Sequence, residues 1–231
     1  MIARYAGGAT GARSAARAGS SIVVVDAFRA STTISVLVSK GAEVRPVASL
    51  EEARAAEADF RIGERGSVRV AGFDFGNSPT EVRAAEIKPG STVALSTTNG
   101  TRVIEAAAGA PQILTGAFVN ATAIADELAA SDDEEVVVVG CGWEGRRASE
   151  DEAAAGAILH RLRLRGAKLD ERARRMSERY LTRTRNDLRD NSAARRLKRV
   201  GYEADLDFCL SEDTLDVVPR LLDGVFVKGR K

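Results

Sequence analysis

The feature that most constrains the fold is the apolar run Ile22-Val23-Val24-Val25, which ends at Asp26. Four consecutive β-branched residues predict a strand that is buried on both faces, as in the parallel sheets of α/β proteins. A helix is predicted from Ser31 to Lys40, because three hydroxyl residues open it and Gly41 follows it. In α/β folds, ligands bind outside the carboxyl ends of strands and near the N-termini of helices. Asp26 and Arg29 stand at such a position.

The residue types around this strand end suit a charged ligand. Asp26 could hold a metal ion, and Arg29 could bind an oxyanion through two hydrogen bonds. The hydroxyls of Ser31, Thr32 and Thr33 could add further hydrogen bonds. The alternative is a strand end followed by a capped helix that binds no ligand. The local pattern alone leaves both interpretations open.

Strand and helix patterns alternate along the rest of the chain. The expected strands lie at 22–26, 43–47, 92–96, 113–115 and 136–139, with extended segments at 208–210, 216–219 and 225–227. Asn120 is the expected N-cap of a helix that runs to about Ala130. This alternation predicts an α/β fold, a three-layer α/β/α sandwich with a mixed, largely parallel sheet. We expect a single domain over residues 1–231, although two closely packed lobes would give the same pattern.

Three further loops carry polar side chains at strand ends or helix starts. They are the turn Thr97-Thr98-Asn99-Gly100-Thr101, the segment with Asp74 and Asn77, and the pair Glu150-Asp151. Acidic residues in a first helical turn often do no more than complement the helix dipole. Here the pair follows a third strand-end loop, which favours a shared site.

The oxygen-rich residue set points to metal-assisted phosphoryl chemistry. Carboxylates without a His or Cys cluster suit Mg²⁺, and hydroxyls at helix starts suit oxyanions. The sequence has no G-x-x-x-x-G-K-[ST] loop, and the dinucleotide fingerprint is missing after the first strand. A haloacid-dehalogenase-type phosphatase would need a second Asp two residues after Asp26, where this chain has Phe28.

Composition excludes several other classes of protein. The chain has 34 Lys and Arg against 33 Asp and Glu, but residues 161–199 alone carry a net charge of +10. We interpret that stretch as a helical surface and a subunit contact, with nucleic-acid binding as the alternative. Two cysteines, Cys141 and Cys209, are too few for a disulfide scaffold or a zinc site and should be unpaired. With no apolar signal core and no long apolar stretch, the sequence indicates a cytoplasmic protein.

The motifs taken together resemble the 2-phosphosulfolactate phosphatase family, often called ComB, which acts in the coenzyme M pathway. Blocks in the family's order span nearly the whole chain. The matching blocks are residues 25–34, 62–66, 72–81, 97–101, 142–145, 150–151, 155–156, 201–209 and 216–219. Two positions depart from the family pattern, Gly140-Cys141-Gly142 and Ala148-Ser149, and these affect loop packing more than chemistry.

The resemblance implies Mg²⁺-dependent hydrolysis of 2-phosphosulfolactate to 3-sulfolactate and phosphate. The alcohol carries a sulfonate and a carboxylate, so the substrate is a polyanion that needs cations. Arg65, Arg102 and either Arg146 or Arg147 join Arg29 as candidates by their position in or beside the blocks.

The mechanism we expect gathers the carboxylates at one metal ion. Asp26, Asp74 and the Glu150/Asp151 pair would converge on Mg²⁺, directly or through its waters. Arg29 and the Thr97–Thr101 turn would bind phosphate oxygens, and Glu150 would act as the base for an attacking water. Asp26 as a covalent nucleophile is the rival.

Two other functions stay open at this stage. One is a phosphatase of the same fold that acts on another small phosphorylated hydroxyacid, and the other is a non-catalytic anion-binding module. We further expect a homodimer that binds neither nucleic acid nor membrane.

Overall fold

The fold is organised around one large mixed sheet. The computed structural model describes residues 1–229, and these form an α/β fold with eleven strands. The strands are β1 (Ile2–Gly7), β2 (Ser21–Val25), β3 (Glu43–Pro46), β4 (Phe60–Arg65), β5 (Val68–Arg69), β6 (Thr92–Ser96), β7 (Ile113–Thr115), β8 (Glu135–Gly140), β9 (Lys168–Leu169), β10 (Pro219–Leu222) and β11 (Val225–Lys228). Their order in the sheet is β5-β4-β6-β3-β11-β10-β7-β2-β8-β1-β9.

Two parallel groups of strands are joined by an antiparallel hairpin. In one group β7, β2, β8, β1 and β9 pair in parallel, and in the other β3, β6 and β4 do so. The β10–β11 hairpin lies between the groups and pairs antiparallel with β7 on one side and β3 on the other. The expected mixed, largely parallel sheet is confirmed.

Helices cover both faces of this sheet. They are α1 (Gly8–Arg17), α2 (Ala30–Ser39), α3 (Leu50–Ala55), α4 (Pro79–Ala84), α5 (Gly100–Ala106), α6 (Ala121–Ala129), α7 (Ser149–Leu164), α8 (Glu171–Thr182), α9 (Arg185–Arg189), α10 (Ser192–Arg199) and α11 (Glu203–Cys209). Because successive side chains of a strand point to opposite faces, β2 contributes to two cores. Val23 and Val25 pack with α6, α7 and α8, whereas Ile22 and Val24 pack with α1, α2 and α5. The result is the expected three-layer sandwich.

The five strands expected from the sequence are all present, with small shifts at their ends. The strand expected at 22–26 is β2, which ends at Val25, so Asp26 is the first residue of the loop. The helix expected at 31–40 is α2, which runs from Ala30 to Ser39. The apolar runs set these elements, and the one-residue shifts leave Asp26 at the carboxyl end of the strand.

One local prediction is wrong, and another, Asn120 as the N-cap of α6, is confirmed in position but not in its side-chain hydrogen bond. The segment 208–210 is not extended, since α11 continues to Cys209, where Leu206 and Cys209 lie on one buried face of the helix. Asn120 precedes α6 without capping it through its side chain. Its Oδ1 instead accepts a hydrogen bond from the amide of Ala117 at 2.9 Å, and its Nδ2 donates to the carbonyl of Val217 at 3.0 Å. The side-chain oxygen that would cap the helix is therefore already engaged by the nearby amide of Ala117.

The basic stretch 161–199 is mainly helical, as expected. It contains the end of α7 and the helices α8, α9 and α10. Many of its cations have carboxylate partners, which lowers the free positive charge available to a polyanion. The pairs include Arg161 with Glu212 and Asp213, Arg165 with Asp126, Arg175 with Glu171, Arg189 with Asp207, and Lys198 with Asp190.

Cys141 and Cys209 are buried and unpaired, as predicted. Burial raises the pKa of both thiols, so neither is a ready nucleophile. Across residues 1–229, no helix combines the length and the apolar character needed to span a membrane.

Candidate active site

Asp26 lies at the centre of the candidate active site. Its amide donates to Ser31 Oγ at 2.8 Å, and its Oδ1 accepts from the amide of Ala30 at 3.3 Å. Among the described residues, Oδ2 has no hydrogen-bond donor. The start of α5 approaches this oxygen closely, because a Cβ added to Gly100 would lie 3.0 Å from Oδ2. Asp26 thus presents one free oxygen to the loops around it.

The surroundings of Asp26 disfavour its negative charge. Burial, together with the charges of Glu64 and Glu150, raises the pKa of Asp26 to about 7. The amide of Ala30 and the charge of Arg29 act in the opposite direction. A carboxyl group with a pKa near neutrality is typical of functional sites, because it exchanges protons or gains a cation at physiological pH.

The three hydroxyl residues after Arg29 are buried inside the loop and helix. Ser31 Oγ accepts from Thr115 Oγ1 at 2.7 Å, and Thr32 Oγ1 donates to the carbonyl of Ala27 at 3.2 Å. Thr33 Oγ1 is buried with no partner in the part of the chain that the structure describes. The substrate contacts predicted for these hydroxyls stay predictions, since Ser31 and Thr32 use theirs to hold the Asp26 loop.

Arg29 is buried and held from three sides. Its Nη1 donates to Asp205 Oδ2 at 2.7 Å, and its Nη2 donates to the carbonyl of Ser67 at 2.9 Å. The guanidinium carbon lies 4.3 Å from the centroid of the Tyr202 ring. Such contacts fix the guanidinium group in one orientation beside the Asp26 loop.

Asp205 connects Arg29 to the Asn77 segment. The Oδ1 of Asp205 accepts from Ser78 Oγ at 2.8 Å and from Thr80 Oγ1 at 2.5 Å. Asn77, just before this contact, is buried, and its Oδ1 has no partner among residues 1–229. The predicted binding role of Asn77 stays a prediction, and the network places its segment near Arg29.

Glu64 is a functional candidate that sequence reasoning did not single out. It is buried at the end of β4, where its Oε1 accepts two hydrogen bonds of 2.8 Å from the amide and hydroxyl of Thr98. Its Oε2 accepts from the amide of Ser67 at 2.8 Å. Glu64 therefore ties the β4–β5 hairpin to the turn after β6, and its charge acts on Asp26. Only its place within the 62–66 block could have marked it.

The turn Thr97–Thr101 is brought to the site and held on both sides. Thr97 Oγ1 accepts from the amide of Thr101, and Asn99 Oδ1 accepts from the amide of Glu144 at 3.1 Å. Gly100 stands next to Asp26. The turn lies where the sequence predicted a substrate-binding element, and its contact with substrate stays a prediction.

Glu150 and Asp151 open α7 and behave differently. Glu150 Oε2 accepts from Asn191 Nδ2 at 2.8 Å, whereas no other described residue donates to its Oε1. Asp151 uses both oxygens, accepting from the amides of Ala27 and Gly142 at 2.8 Å each. Burial raises the pKa of Glu150, and burial with the charges of Asp26 and Glu150 raises that of Asp151. Glu150 therefore keeps one oxygen available, whereas Asp151 holds the loop after β2 to the loop after β8.

Asp74 is the predicted site residue that the structure does not bring to this cluster. It is exposed, and its Oδ2 accepts from the amide of Arg61 at 2.7 Å. Its charge is not among those that raise the pKa of Asp26, Glu150 or Asp151. Its role as a metal ligand stays a prediction, on which the sequence pattern and the geometry differ.

The cluster fits a divalent cation in charge but offers few free ligands. Burial raises the pKa of Asp26 and Asp151, and the charges of neighbouring carboxylates, Glu150 on both and Glu64 on Asp26, raise it further, so an added cation would be favourable there. Within residues 1–229 no three His, Cys, Asp or Glu side chains are grouped so that they could hold a metal ion. Mg²⁺ commonly keeps several waters and needs only one or two carboxylates with a substrate phosphate. Asp26 and Glu150 are the members of the cluster with an oxygen that no other described residue donates to, so they are the residues that would hold such an ion.

One cation of the basic stretch also reaches the site. Arg196 of α10 donates from Nε to Ser67 Oγ at 3.1 Å, and its guanidinium carbon lies 3.6 Å from the centroid of the Trp143 ring. The charges of Glu150 and Glu64 act on it. No local pattern distinguished Arg196 from the other basic residues, because only the fold brings α10 to this loop.

Comparison with known proteins agrees with the resemblance. The family model described as 2-phosphosulpholactate phosphatase matches residues 10–224. A protein of Thermotoga petrophila, named a probable 2-phosphosulfolactate phosphatase, is 39% identical over 212 residues, which cover 89% of this chain and 90% of the relative.

Two cyanobacterial relatives carry the same name. The protein of Synechocystis sp. is 36% identical and covers 86% of this chain and 87% of its own length. One from Synechococcus sp. is 39% identical over 90% of this chain and 91% of its own length. The chain therefore belongs to the 2-phosphosulfolactate phosphatase family, whose members are classed as phosphoric monoester hydrolases.

Proposed function

We propose that the protein hydrolyses 2-phosphosulfolactate to 3-sulfolactate and phosphate, with Mg²⁺ as cofactor. The observation that carries this proposal is the meeting of Asp26, Glu150 and Arg29 at the carboxyl ends of the strands. Relatives that match nearly the full chain are named as probable phosphatases of that substrate. Phosphoryl transfer depends mostly on positioning and charge neutralisation, which suits a cluster of carboxylates and guanidinium groups.

Asp26 is the residue that would hold the metal ion. Its Oδ2 is free, and a pKa of about 7 gives a substantial ionised fraction at neutral pH. When bound, Mg²⁺ supplies positive charge that offsets the charges of the phosphate and of the carboxylate cluster. Asp151 and Asp74 belong to the ligand set expected from the sequence, but amide hydrogen bonds occupy both oxygens of Asp151 and one of Asp74.

Glu150 is the proposed base for the attacking water. Asn191 fixes its Oε2, which leaves Oε1 to accept the proton. Burial raises the pKa of Glu150, and a higher pKa makes its carboxylate a stronger base. Arg29 keeps its orientation through Asp205 and offers positive charge beside Asp26 to the phosphoryl group.

The rival step is attack by Asp26 itself, which would leave a phosphoryl group on the protein. Acid quenching during turnover of substrate labelled at phosphorus distinguishes the two. With water as the nucleophile, the label appears only in free phosphate. Label that stays on the protein and maps to Asp26 would establish the covalent route.

Phosphate release tests the proposed function. The purified protein is assayed with 2-phosphosulfolactate, 2-phospholactate and other phosphorylated hydroxyacids, after EDTA treatment and again with added Mg²⁺. We expect release only with Mg²⁺ and fastest from 2-phosphosulfolactate. Faster phosphate release from another phosphorylated hydroxyacid would identify that compound, and not 2-phosphosulfolactate, as the preferred substrate. Binding of phosphate without release from any ester would indicate an anion-binding module instead.

A homodimer is proposed as well, on the basis of apolar side chains exposed within and beside the basic stretch. Leu164 is 68% exposed and Leu181 is 57% exposed. In a homodimer that buries these two side chains, the apolar area removed from water would favour association. Sedimentation equilibrium at micromolar concentration tests this, and a mass of one chain would refute it.

A further inference from the structure

Arg196 differs from the other cations of the basic stretch in how its guanidinium group is held. Nε donates to Ser67 Oγ, and the guanidinium carbon lies over the ring of Trp143, 3.6 Å from its centroid. These partners belong to two different parts of the site, the β4–β5 hairpin and the loop after β8. Arg196 lies on α10, which is distant in sequence from both of these segments, and it contacts both of them.

The outer nitrogens of Arg196 are left without partners. Among residues 1–229, neither Nη1 nor Nη2 has a hydrogen bond or ion pair, although the charges of Glu150, Glu64 and Glu144 act on the group. In Arg29, by contrast, Asp205 and the carbonyl of Ser67 occupy both outer nitrogens. This half-buried guanidinium group is held by its Nε and by the contact with the Trp143 ring. Its two outer nitrogens are therefore available to donate hydrogen bonds to an anion.

The loop that contacts Arg196 is held by hydrogen bonds. Trp143 and Arg146 exchange two backbone hydrogen bonds of 2.8 Å around Glu144 and Gly145, both of which have positive φ. This is the geometry of a type I′ turn. The amide of Glu144 is also bonded to Asn99, so Trp143 is positioned against the turn after β6. The Trp143 ring therefore forms a fixed platform for the guanidinium group.

The two arginines act on different parts of the carboxylate cluster. Burial raises the pKa of both Asp26 and Glu150; the charge of Arg29 opposes this effect at Asp26, and the charge of Arg196 opposes it at Glu150. A substrate with three anionic groups would meet repulsion from the carboxylates unless each group found a cation. In 2-phosphosulfolactate the sulfonate is the anionic group farthest from phosphorus along the covalent chain. A cation other than Arg29, such as Arg196, therefore suits it.

We propose that Arg196 is a specificity-determining residue whose free guanidinium fork binds the sulfonate of the substrate, with Trp143 as its positioning residue. This inference rests on the proposed function. Three sulfonate oxygens match a planar fork with two parallel N–H donors, and a Lys ammonium cannot reproduce that geometry. Arg196 then selects the sulfonated substrate over an analogue that ends in a methyl group.

The first test combines enzyme variants with a substrate analogue. Arg196→Ala and Arg196→Lys are assayed with 2-phosphosulfolactate and with 2-phospholactate, which lacks the sulfonate. For Arg196→Ala we expect kcat/KM to fall about 10- to 100-fold with 2-phosphosulfolactate, mostly through KM, as for loss of a charged hydrogen-bonded contact. With 2-phospholactate the change should stay within about threefold. For Arg196→Lys, the kcat/KM with 2-phosphosulfolactate should lie between those of wild type and Arg196→Ala. Trp143→Leu should also lower the preference for 2-phosphosulfolactate over 2-phospholactate.

Arg199→Ala is the matched control. It removes the same charge from an exposed position on α10, where no hydrogen bond or ion pair is made within the described part of the chain. We expect both substrates to react with this variant at wild-type rates. Equal losses with both substrates in Arg196→Ala, or no loss with either, would overturn the inference while the phosphatase function stands.

Binding of the product provides a test that does not need turnover. Calorimetric titration of wild type with 3-sulfolactate should show binding, and Arg196→Ala should weaken it about 10-fold or more. That result supports the role of Arg196 even if hydrolysis fails. Wild-type protein that does not bind 3-sulfolactate, or equal affinity of the variant, would contradict it.

Discussion

At the scale of single residues, the site is a set of carboxyl groups with unequal freedom. Asp26 and Glu150 each keep one oxygen to which no other residue among 1–229 donates, whereas Glu64 and Asp151 use both of theirs within the loops. The free oxygens are available for metal binding or proton transfer, and the occupied oxygens hold the loops in position. Burial, with the charges of neighbouring carboxylates, raises the pKa of Asp26 and Asp151, and this electrostatic cost predicts a trade-off between stability and function.

Asp26→Asn should stabilise the metal-free protein at high pH. The pKa of Asp26 is raised to about 7 in the folded state, above its unfolded value, so ionisation of Asp26 costs folding free energy. The cost is absent below about pH 4, grows up to about pH 7 and is constant above it. In EDTA at pH 8, the Tm of Asp26→Asn should exceed that of wild type by at least about 3 °C, and the gap should close towards pH 4.

Added Mg²⁺ should reverse this order. Wild type should gain Tm with Mg²⁺ at pH 8, and Asp26→Asn should gain little, because the ligand oxygen has lost its charge. For wild type the apparent Mg²⁺ affinity should fall as pH drops below about 7, since protons compete for the carboxylate. A variant that responds to Mg²⁺ as strongly as wild type would exclude Asp26 as a ligand.

Asp74→Asn decides between the sequence pattern and the geometry. The pattern makes Asp74 a metal ligand, but the carboxylate is exposed and bonded to the amide of Arg61. From the geometry we expect kcat and the Mg²⁺ affinity to stay within about threefold of wild type, as is usual for exposed positions away from a site. A loss of about a hundredfold in a folded variant would support the pattern instead.

At the scale of elements, side chains tie the strand-end loops to one another. Asp151 connects the loop after β2 to the loop after β8, and Glu64 connects the β4–β5 hairpin to the turn after β6. The start of α5 then lies directly against Asp26. The position of each loop therefore depends on the loops next to it. Small changes in backbone packing should displace the side chains of the site and lower the rate of catalysis.

Gly100→Ala tests this close approach. A Cβ at this position would lie 3.0 Å from Asp26 Oδ2 and 3.0 Å from the Cβ of Ala30. We expect the variant to stay folded, because α5 readily accepts Ala, and to lose about tenfold or more in kcat/KM as Asp26 is displaced. Gly7→Ala is the control, since its Cβ would meet nothing nearer than 4.0 Å. Full activity in Gly100→Ala would mean that Asp26 is not closely confined.

At the scale of the whole molecule, the sheet brings together residues that are far apart in sequence, and this limits what sequence reasoning finds. The apolar run before Asp26 identified β2 and the edge of the sheet where the site lies. It could do so because a strand that is buried on both faces appears in the sequence as consecutive apolar residues. Arg196 and Asp205 gave no such signal, since each is one polar residue in a helix. Their roles depend on which loop the helix meets. The antiparallel hairpin inside the sheet likewise depends on long-range pairing.

The central claim is that this fold hydrolyses the phosphate ester at Asp26. The most direct test is phosphate release from 2-phosphosulfolactate with Mg²⁺ by wild type and by folded Asp26→Asn. Asp132→Asn, an exposed change before β8, serves as the control. We predict release by wild type and the control, and a loss of at least about a thousandfold in Asp26→Asn. Near-wild-type, Mg²⁺-dependent release by Asp26→Asn would contradict the account.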